Sequence, residues 1–345
     1  MQARGIRLRA RGALPTPRRC SRLRIAATAA APLSRRTPRF ERDTFGVKRV
    51  AYEERGWEVW NWRGIDVNYI SYGNTGPPVI LIHGFGASSY QWRYNIPELA
   101  KNHRVYALDL VGFGWSEKVV TDYTGGEVWS DQIADFIREF VGSEGAYIAG
   151  NSLGGFAALA TAARNPDVIK GIIGLNIAGQ FAQDVDLMPT VSQAEENNIF
   201  LKWRRQLGDL FRQLLLIYSF HATRSRVRKI LLAVYHNKNN VDDDLVRSIE
   251  AAAEDPHAFD VYCKLIQSTL SKAVTLDELL EVIRVPMLLL WGMKDPWITP
   301  KKGYRIVEAY KAAEFVPLDA GHCVQDECPE IVNEQLMSWI ERNER

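Results

Sequence analysis

Five runs of apolar residues in this chain each end in a turn that contains glycine. Two of these runs, at 77–84 and 104–110, are continuous rather than alternating, which is typical of strands buried on both faces of a parallel sheet. Stretches with helical spacing of apolar side chains separate the runs, as at 127–141. Strands that alternate with helices predict an α/β fold, in which a mostly parallel central sheet carries helices on both faces.

Two further segments of the first half have recognisable patterns. Residues 57–73 alternate in part around Arg63 and Gly64, which predicts a hairpin. Residues 93–102 have the spacing of a helix.

The alternation of strands and helices stops after about residue 180 and resumes at 285–292. The intervening residues contain several helical stretches and no predicted strand. We therefore expect a core formed by residues 41–179 and 281–345, with a helical cap at 180–280 inserted over the carboxyl edge of the sheet. The stretch at 200–220 is apolar on one side, which favours a packing face. Guidance of a lipophilic substrate and contact with a membrane surface are the alternatives.

Residues 1–40 differ in composition from the rest of the chain. They contain eleven Arg and no Lys, Asp or Glu, whereas the remaining residues have 32 Lys and Arg against 41 Asp and Glu. An Arg- and Ala-rich leader without acidic residues predicts a disordered organelle transit peptide, and a disordered basic tail is the alternative.

The net negative charge of residues 41–345 argues against nucleic-acid binding. No run approaches the roughly 18 apolar residues of a transmembrane segment.

The glycine-bearing turns are all expected at the carboxyl ends of their strands, the edge at which open α/β sheets bind ligands. They place a serine, an aspartate and a histidine at one rim. The turns are His83-Gly84-Phe85-Gly86, Gly112-Phe113-Gly114, Gly150-Asn151-Ser152-Leu153-Gly154, Gly292-Met293-Lys294-Asp295 and Ala320-Gly321-His322.

Ser152 stands in a Gly-x-Ser-x-Gly pattern, which is typical of a nucleophile on a sharp strand-to-helix turn. A serine hydroxyl needs a base, and the base needs an acid to orient it. Asp295 and His322 follow in the order that this architecture requires. Each residue alone has an ordinary explanation, as a turn former or a structural histidine. Their joint occurrence predicts a catalytic triad of Ser152, Asp295 and His322.

Backbone N–H groups of Phe85 and Leu153 are the candidate oxyanion donors, because one follows Gly84 and the other begins the helix after the serine. Gly150 and Gly154 are assigned to the tight elbow. The sequence has no phosphate-binding glycine motif, and we expect neither a cofactor nor a metal. The other histidines lack metal-ligand spacing and the cysteines form no C-x-x-C pair, so we interpret them as surface, cap or packing residues. These are His103, His221, His236, His257, Cys323 and Cys328.

These motifs make the chain resemble the α/β-hydrolase superfamily over about residues 57–342, and more narrowly the plant and algal chloroplast hydrolases related to pheophytinase. The strings that carry the resemblance are HGFGASSYQWRYNIPELAKNHRVYALDLVGFGWSEK, GNSLGGFAALATAA, WGMKDPW and AGHCVQDECPEIVN. Pheophytinases have proline where this chain has His83. The family's nucleophile, acid and base correspond to Ser152, Asp295 and His322. A serine at the elbow argues against the dehalogenase and epoxide hydrolase branches, whose nucleophile is aspartate.

The resemblance implies a serine hydrolase acting on a small lipophilic ester, for which the phytyl ester of a chlorophyll derivative is one candidate, and a chloroplast location with the mitochondrion as the alternative. Two other hypotheses remain. One is a hydrolase that uses the same residues on another bond, through carbon–carbon cleavage or perhydrolysis. The other is a ligand receptor on a hydrolase scaffold.

Overall fold

The computed structural model describes residues 37–185, 226–270 and 274–345. Its strands are β1 (Phe40–Arg42), β2 (Lys48–Val50), β3 (Glu58–Trp62), β4 (Ile65–Tyr72), β5 (Pro78–Ile82), β6 (Arg104–Leu108), β7 (Ala146–Asn151), β8 (Ile169–Leu175), β9 (Met287–Gly292) and β10 (Ala313–Leu318). Most of the leader predicted at 1–40 lies outside the described residues. Phe40, its last residue, already belongs to β1.

The helices of the described residues are likewise numbered in the order in which they occur along the chain. They are α1 (Ile96–Leu99), α2 (Glu127–Phe136), α3 (Leu153–Arg164), α4 (Ala182–Val185), α5 (Val227–Val234), α6 (Asp243–Ala253), α7 (Ala258–Leu270), α8 (Leu276–Val282), α9 (Pro300–Ala309), α10 (Val324–Glu327) and α11 (Pro329–Glu344).

An eight-stranded sheet has the order β10-β9-β8-β7-β5-β6-β4-β3. The pairs from β10 to β6 are parallel, and β4 and β3 add to the β6 edge in antiparallel orientation. Every residue of β5, β7 and β9 is buried, as their continuous apolar sequences predict. The predicted α/β fold with a mostly parallel sheet is confirmed.

Helices cover both faces of this sheet, and the side-chain alternation of β5 shows how the core is divided. Ile80 and Ile82 pack with side chains of α2, α3, α8 and α9. Val79 and Leu81 point to the opposite face and pack with side chains of α1 and α11. One strand therefore contributes to two hydrophobic layers.

Two local predictions have different outcomes. The hairpin at 57–73 is present, and its two-residue turn has positive φ at Arg63 (51°) and Gly64 (84°), as a type I′ turn requires. The helix expected at 93–102 is reduced to α1, after a 3₁₀ turn at Ser89–Trp92. Pro97, the second residue of α1, accounts for the late start, because proline has no N–H to donate to the Arg93 carbonyl; it does not account for the end of α1 at Leu99.

The described residues between β8 and β9 form helices α4 to α8 and no strand. The apolar stretch at 200–220 lies outside the described residues, and the cap boundaries 180 and 280 remain a prediction. An ionic cluster connects this helical part to the core. The buried guanidinium of Arg93 lies 2.9 Å from Asp242, at the start of α6, and 3.2 Å from Asp326 on α10.

Candidate active site

Ser152 lies between the last residue of β7 and the first residue of α3. Its backbone angles, φ 54° and ψ −113°, are rare for an L-amino acid and cost on the order of 1–3 kcal/mol. Three hydrogen bonds hold this conformation. The Ser152 N–H donates to Leu175 O at 2.9 Å, and Ser152 O accepts from the N–H groups of Phe156 (3.1 Å) and Ala178 (3.0 Å). The sequence-predicted elbow is thus a strained strand-to-helix turn.

The two predicted elbow glycines have no room for a side chain. A Cβ on Gly150 would overlap the carbonyl oxygen of Gly154, at the start of the helix. A Cβ on Gly154 would lie 2.6 Å from His83 O, at the end of the neighbouring strand β5. Close packing of α3 against β5 and β7 therefore depends on glycine at both positions.

Asp295 and His322 are joined by a hydrogen bond of 2.7 Å between Asp Oδ2 and His Nδ1. Both side chains are buried. Oδ1 of Asp295 accepts the backbone N–H groups of Trp297 (2.7 Å) and Ile298 (3.0 Å). Because the ionised carboxylate can only accept, the proton of a neutral His322 ring is on Nδ1, and Nε2 is left as a proton acceptor.

The environment of Asp295 favours its ionised form. Burial raises the pKa of this carboxyl, but the hydrogen bond from His322, its charge and the backbone N–H donors together hold the pKa below its ordinary value. A depressed folded-state pKa adds stability above the unfolded-state pKa of about 3.9, and this contribution is lost as the pH falls through the folded-state value. Asp295 is therefore charged at neutral pH, as an orienting acid must be.

The serine elbow reaches the histidine loop through its neighbour Asn151. Asn151 Nδ2 donates to His322 O at 3.0 Å and to Leu175 O at 3.2 Å. In the described part of the chain, the Ser152 hydroxyl makes no hydrogen bond to the His322 ring. Such bonds often form only in the substrate complex. Asp295 is thus bonded directly to His322, and the side chain of Asn151, the residue before Ser152, is bonded to the same loop.

The two candidate oxyanion donors have no competing acceptor. Among the described residues, neither the Phe85 nor the Leu153 N–H makes a hydrogen bond. Leu153 is the first residue of α3, where the helix adds positive partial charge. Both amides are therefore available to an anionic oxygen.

His83 orients the peptide that carries the Phe85 N–H, a role that the sequence analysis did not anticipate. Its Nε2 accepts the Leu110 N–H at 3.0 Å, so Nδ1 carries the proton and donates to Gly84 O at 2.7 Å. Burial lowers the pKa of His83 and keeps the ring neutral. Fixing Gly84 O also fixes the Phe85 N–H, which lies on the opposite side of the same planar peptide.

Two other buried side chains near the site were missed. Asn176, directly after β8, donates from Nδ2 to Asp295 Oδ2 at 2.7 Å and accepts the Gly292 N–H at 3.0 Å. The Glu327 carboxylate accepts the N–H groups of Gly321 (3.0 Å) and Cys323 (3.3 Å), on either side of the histidine, and those of two residues after α5. A polar residue at a strand end was a usable signal for Asn176, whereas nothing in the pattern singled out Glu327.

The remaining histidines and cysteines have other contacts or lie outside the described residues. His103 contacts Leu99 O, Cys323 is buried, and Cys328 Sγ donates to Val324 O. His221 lies outside the described residues. In residues 37–185, 226–270 and 274–345 there is no group of three His, Cys, Asp or Glu side chains placed to hold a metal ion. No helix in those ranges has the length and apolar character needed to cross a membrane.

Comparison with known proteins identifies relatives among hydrolases. Chloroplastic pheophytinase of Arabidopsis thaliana is 27% identical over 309 residues, covering 78% of this chain and 62% of that protein. The 2-hydroxy-6-oxo-6-(2'-aminophenyl)hexa-2,4-dienoic acid hydrolase of Metapseudomonas resinovorans is 25% identical over 299 residues, covering 85% of this chain and 92% of the relative.

Solved structures share the fold. A thermophilic esterase from Thermogutta terrifontis superposes with a TM-score of 0.63 at 22% identity, covering 81% of this chain and 94% of the esterase. The family model described as alpha/beta hydrolase fold matches residues 77–329, which include the elbow, the aspartate and the histidine. The protein is an enzyme of the α/β-hydrolase family.

Proposed function

We propose that this protein is a serine hydrolase that cleaves a carboxylic ester of a lipophilic compound through an acyl-enzyme. The observation that carries the proposal is the 2.7 Å hydrogen bond between Asp295 and His322. It leaves the imidazole Nε2 free to accept a proton, at the sheet edge where the strained elbow presents Ser152. This is the pairing of base and orienting acid that a serine nucleophile requires.

The residues have the following roles in the proposed reaction. His322 takes the proton of Ser152 as the serine oxygen attacks the ester carbonyl, and Asp295 stabilises the imidazolium that forms. The N–H groups of Phe85 and Leu153 stabilise the oxyanion of the tetrahedral intermediate. His322 then protonates the leaving alcohol, and a water molecule that it activates releases the acid from Ser152. No step requires a cofactor.

Carbon–carbon cleavage is the second candidate, because the Metapseudomonas relative is a dienoic acid hydrolase and the same residues could serve that reaction. Direct opening of an epoxide requires a carboxylate nucleophile, and the elbow carries a hydroxyl instead. If the protein were instead a ligand receptor on this scaffold, it would bind its ligand and hydrolyse it only very slowly.

Aromatic side chains around the site support a lipophilic substrate. The Phe85 ring is half exposed and lies 5.5 Å from Phe113 and 6.4 Å from Tyr262 of α7, measured between ring centroids. Trp297 is 60% exposed, and its ring centroid lies 5.5 Å from that of His322. Large apolar side chains left exposed beside catalytic groups are suited to binding an apolar ligand.

The relation to pheophytinase makes a phytyl ester the first substrate to test, and peripheral membrane contact would bring the enzyme to such a lipid. The same relation and the Arg-rich residues 1–40 support a chloroplast location, with the mitochondrion as the alternative. Uptake of the full chain by isolated chloroplasts checks the location, and exclusion by them would contradict it.

Product analysis tests the proposed reaction. The full chain is incubated in ¹⁸O-water with pheophytin, chlorophyll, a simple phytyl ester, p-nitrophenyl esters and the dienoic acid named for the Metapseudomonas relative. An ester hydrolase releases an alcohol and an acid, with the label in the acid. Cleavage of a dienoic acid without any ester turnover would instead favour the carbon–carbon hydrolase, and inactivity on the pigments alone would remove only the phytyl-ester assignment.

Phe85→Ala is expected to raise KM for long-chain or aryl esters about fivefold, because about 1 kcal/mol of apolar contact with the ester is lost. KM for an acetyl ester and kcat should change little, since the backbone N–H at this position is retained. Steady-state kinetics on both esters measure the difference. Phe45→Ala, at an exposed ring between β1 and β2, is the matched control. Equal KM values for both variants would contradict the assignment of Phe85 to the substrate site.

A further inference from the structure

Gln91 connects three segments of the candidate active site through one buried side-chain amide. It lies on the 3₁₀ turn after β5. Its Oε1 accepts the Gly84 N–H at 3.0 Å, and its Nε2 lies 3.3 Å both from Asn151 Oδ1 and from Cys323 Sγ. The amide thus uses its acceptor and its donor groups at once.

Each of the three residues that Gln91 contacts is the chain neighbour of a group assigned to the reaction. Gly84 precedes the oxyanion donor Phe85, Asn151 precedes the nucleophile, and Cys323 follows the base. These segments follow three different strands. A single side chain therefore spans all of them.

Strand pairing between β5 and β7 does not fix the oxyanion loop relative to the serine. The ladder between β5 and β7 ends at the pair Ile82 and Gly150, before either the oxyanion loop or the serine is reached. Beyond that pair, Gln91 bridges Gly84 and Asn151, and Asn151 continues the connection to His322 O. The bridge lies where the backbone pairing between β5 and β7 stops.

We propose that Gln91 is a positioning residue that sets the distance between the oxyanion donors and the Ser152–His322 pair. This inference rests on the proposed ester hydrolysis. Phe85 N–H and Leu153 N–H belong to separate segments, so the hole that they form is only as precise as the connection between those segments. Displacement of a reacting or stabilising group by about 1 Å can lower the rate about 100-fold.

Gln91→Met tests the proposal, because methionine has a similar length and makes none of these hydrogen bonds. We expect kcat for ester hydrolysis to fall about 10- to 100-fold with KM nearly unchanged, since the oxyanion is stabilised only in the transition state. The affinity for a boronic acid transition-state analogue should fall by the same factor. A side chain that only supports folding would not weaken the analogue selectively.

Gln325→Met is the matched control. Gln325 is also fully buried and close in sequence to His322, but its amide atoms have no hydrogen-bond partner in the described part of the chain. This variant should keep the wild-type kcat. A melting curve for each variant separates loss of fold from loss of positioning.

Gln91→Glu provides a second variant if Gln91→Met does not fold. Its protonated carboxyl can both accept from the Gly84 N–H and donate to Asn151 Oδ1, whereas the ionised carboxylate faces that oxygen as a second acceptor. The ratio of its kcat to the wild-type kcat should rise as the pH falls. A pH-independent ratio, or wild-type kcat in Gln91→Met, would overturn the role of Gln91. If the wild-type protein neither turns over an ester nor is labelled at Ser152 by a fluorophosphonate, ester hydrolysis itself is refuted, and this inference with it.

Discussion

Ser152→Ala is expected to lower kcat for ester hydrolysis by about 10⁴-fold or more and to abolish covalent labelling by a fluorophosphonate probe. The hydroxyl is the only group in the proposed mechanism that forms the acyl-enzyme, and nucleophile removal in a serine hydrolase leaves only the rate due to binding and the oxyanion hole. Burst kinetics with a p-nitrophenyl ester and probe labelling followed by mass spectrometry measure the two effects.

The fold of Ser152→Ala should survive, because alanine meets the same backbone strain at φ 54° as serine does. Its melting temperature should stay close to that of the wild type. Ser88→Ala is the matched control, since the Ser88 hydroxyl is buried, makes no hydrogen bond in the described residues and lies in the loop after β5. Retention of labelling or of turnover in Ser152→Ala would show that another residue is the nucleophile.

The sequence predicted the sheet because its strands have an unambiguous pattern. Runs such as 78–82 are apolar at every position, and only a strand covered on both faces can bury five such residues in succession. The turn at Arg63 and Gly64 was also predictable, because apolar and polar residues alternate in part on both sides of it. The helix expected at 93–102 is present only as the four residues of α1, because the spacing of apolar residues does not show where a helix begins or ends.

The candidate site was predictable only where a residue type reveals its role. Ser152 between glycines and His322 after a strand are recognisable by chemistry and order alone. Asn176 and Glu327 act by hydrogen-bonding backbone or carboxyl groups from distant parts of the chain, and such partners become visible only when the fold brings them together. Gln91 belongs to the same class, because its three contacts lie up to 232 positions away along the chain.

The histidine loop is held by the helical part as well as by the core. The His322 N–H donates to Val234 O at the end of α5, at 2.9 Å, and Glu327 accepts backbone N–H groups from both the histidine loop and the residues after α5. Movement of α5 would therefore displace the base directly. The helical part between β8 and β9 therefore helps to hold the candidate base in place.

Asp295→Asn is expected to lower kcat by about 10⁴-fold while leaving the nucleophile in place. In the wild-type protein, the Asp295 carboxylate accepts four hydrogen bonds, two on Oδ1 from backbone N–H groups and two on Oδ2 from His322 and Asn176. An amide can keep the backbone pair only by turning its NH₂ group toward His322 Nδ1. The imidazole must then accept at Nδ1 and carry its proton on Nε2, so it cannot take the proton of Ser152.

The kinetics of Asp295→Asn should differ from those of Ser152→Ala in a diagnostic way. Fluorophosphonate labelling should be slowed rather than abolished, and kcat should rise with increasing pH, because hydroxide can replace the missing base. Asp319→Asn, at a largely exposed carboxylate just after β10, is the control and should behave as wild type. If Asp295→Asn retains wild-type kcat, the 2.7 Å contact with His322 serves packing alone, and the base must be oriented by another group.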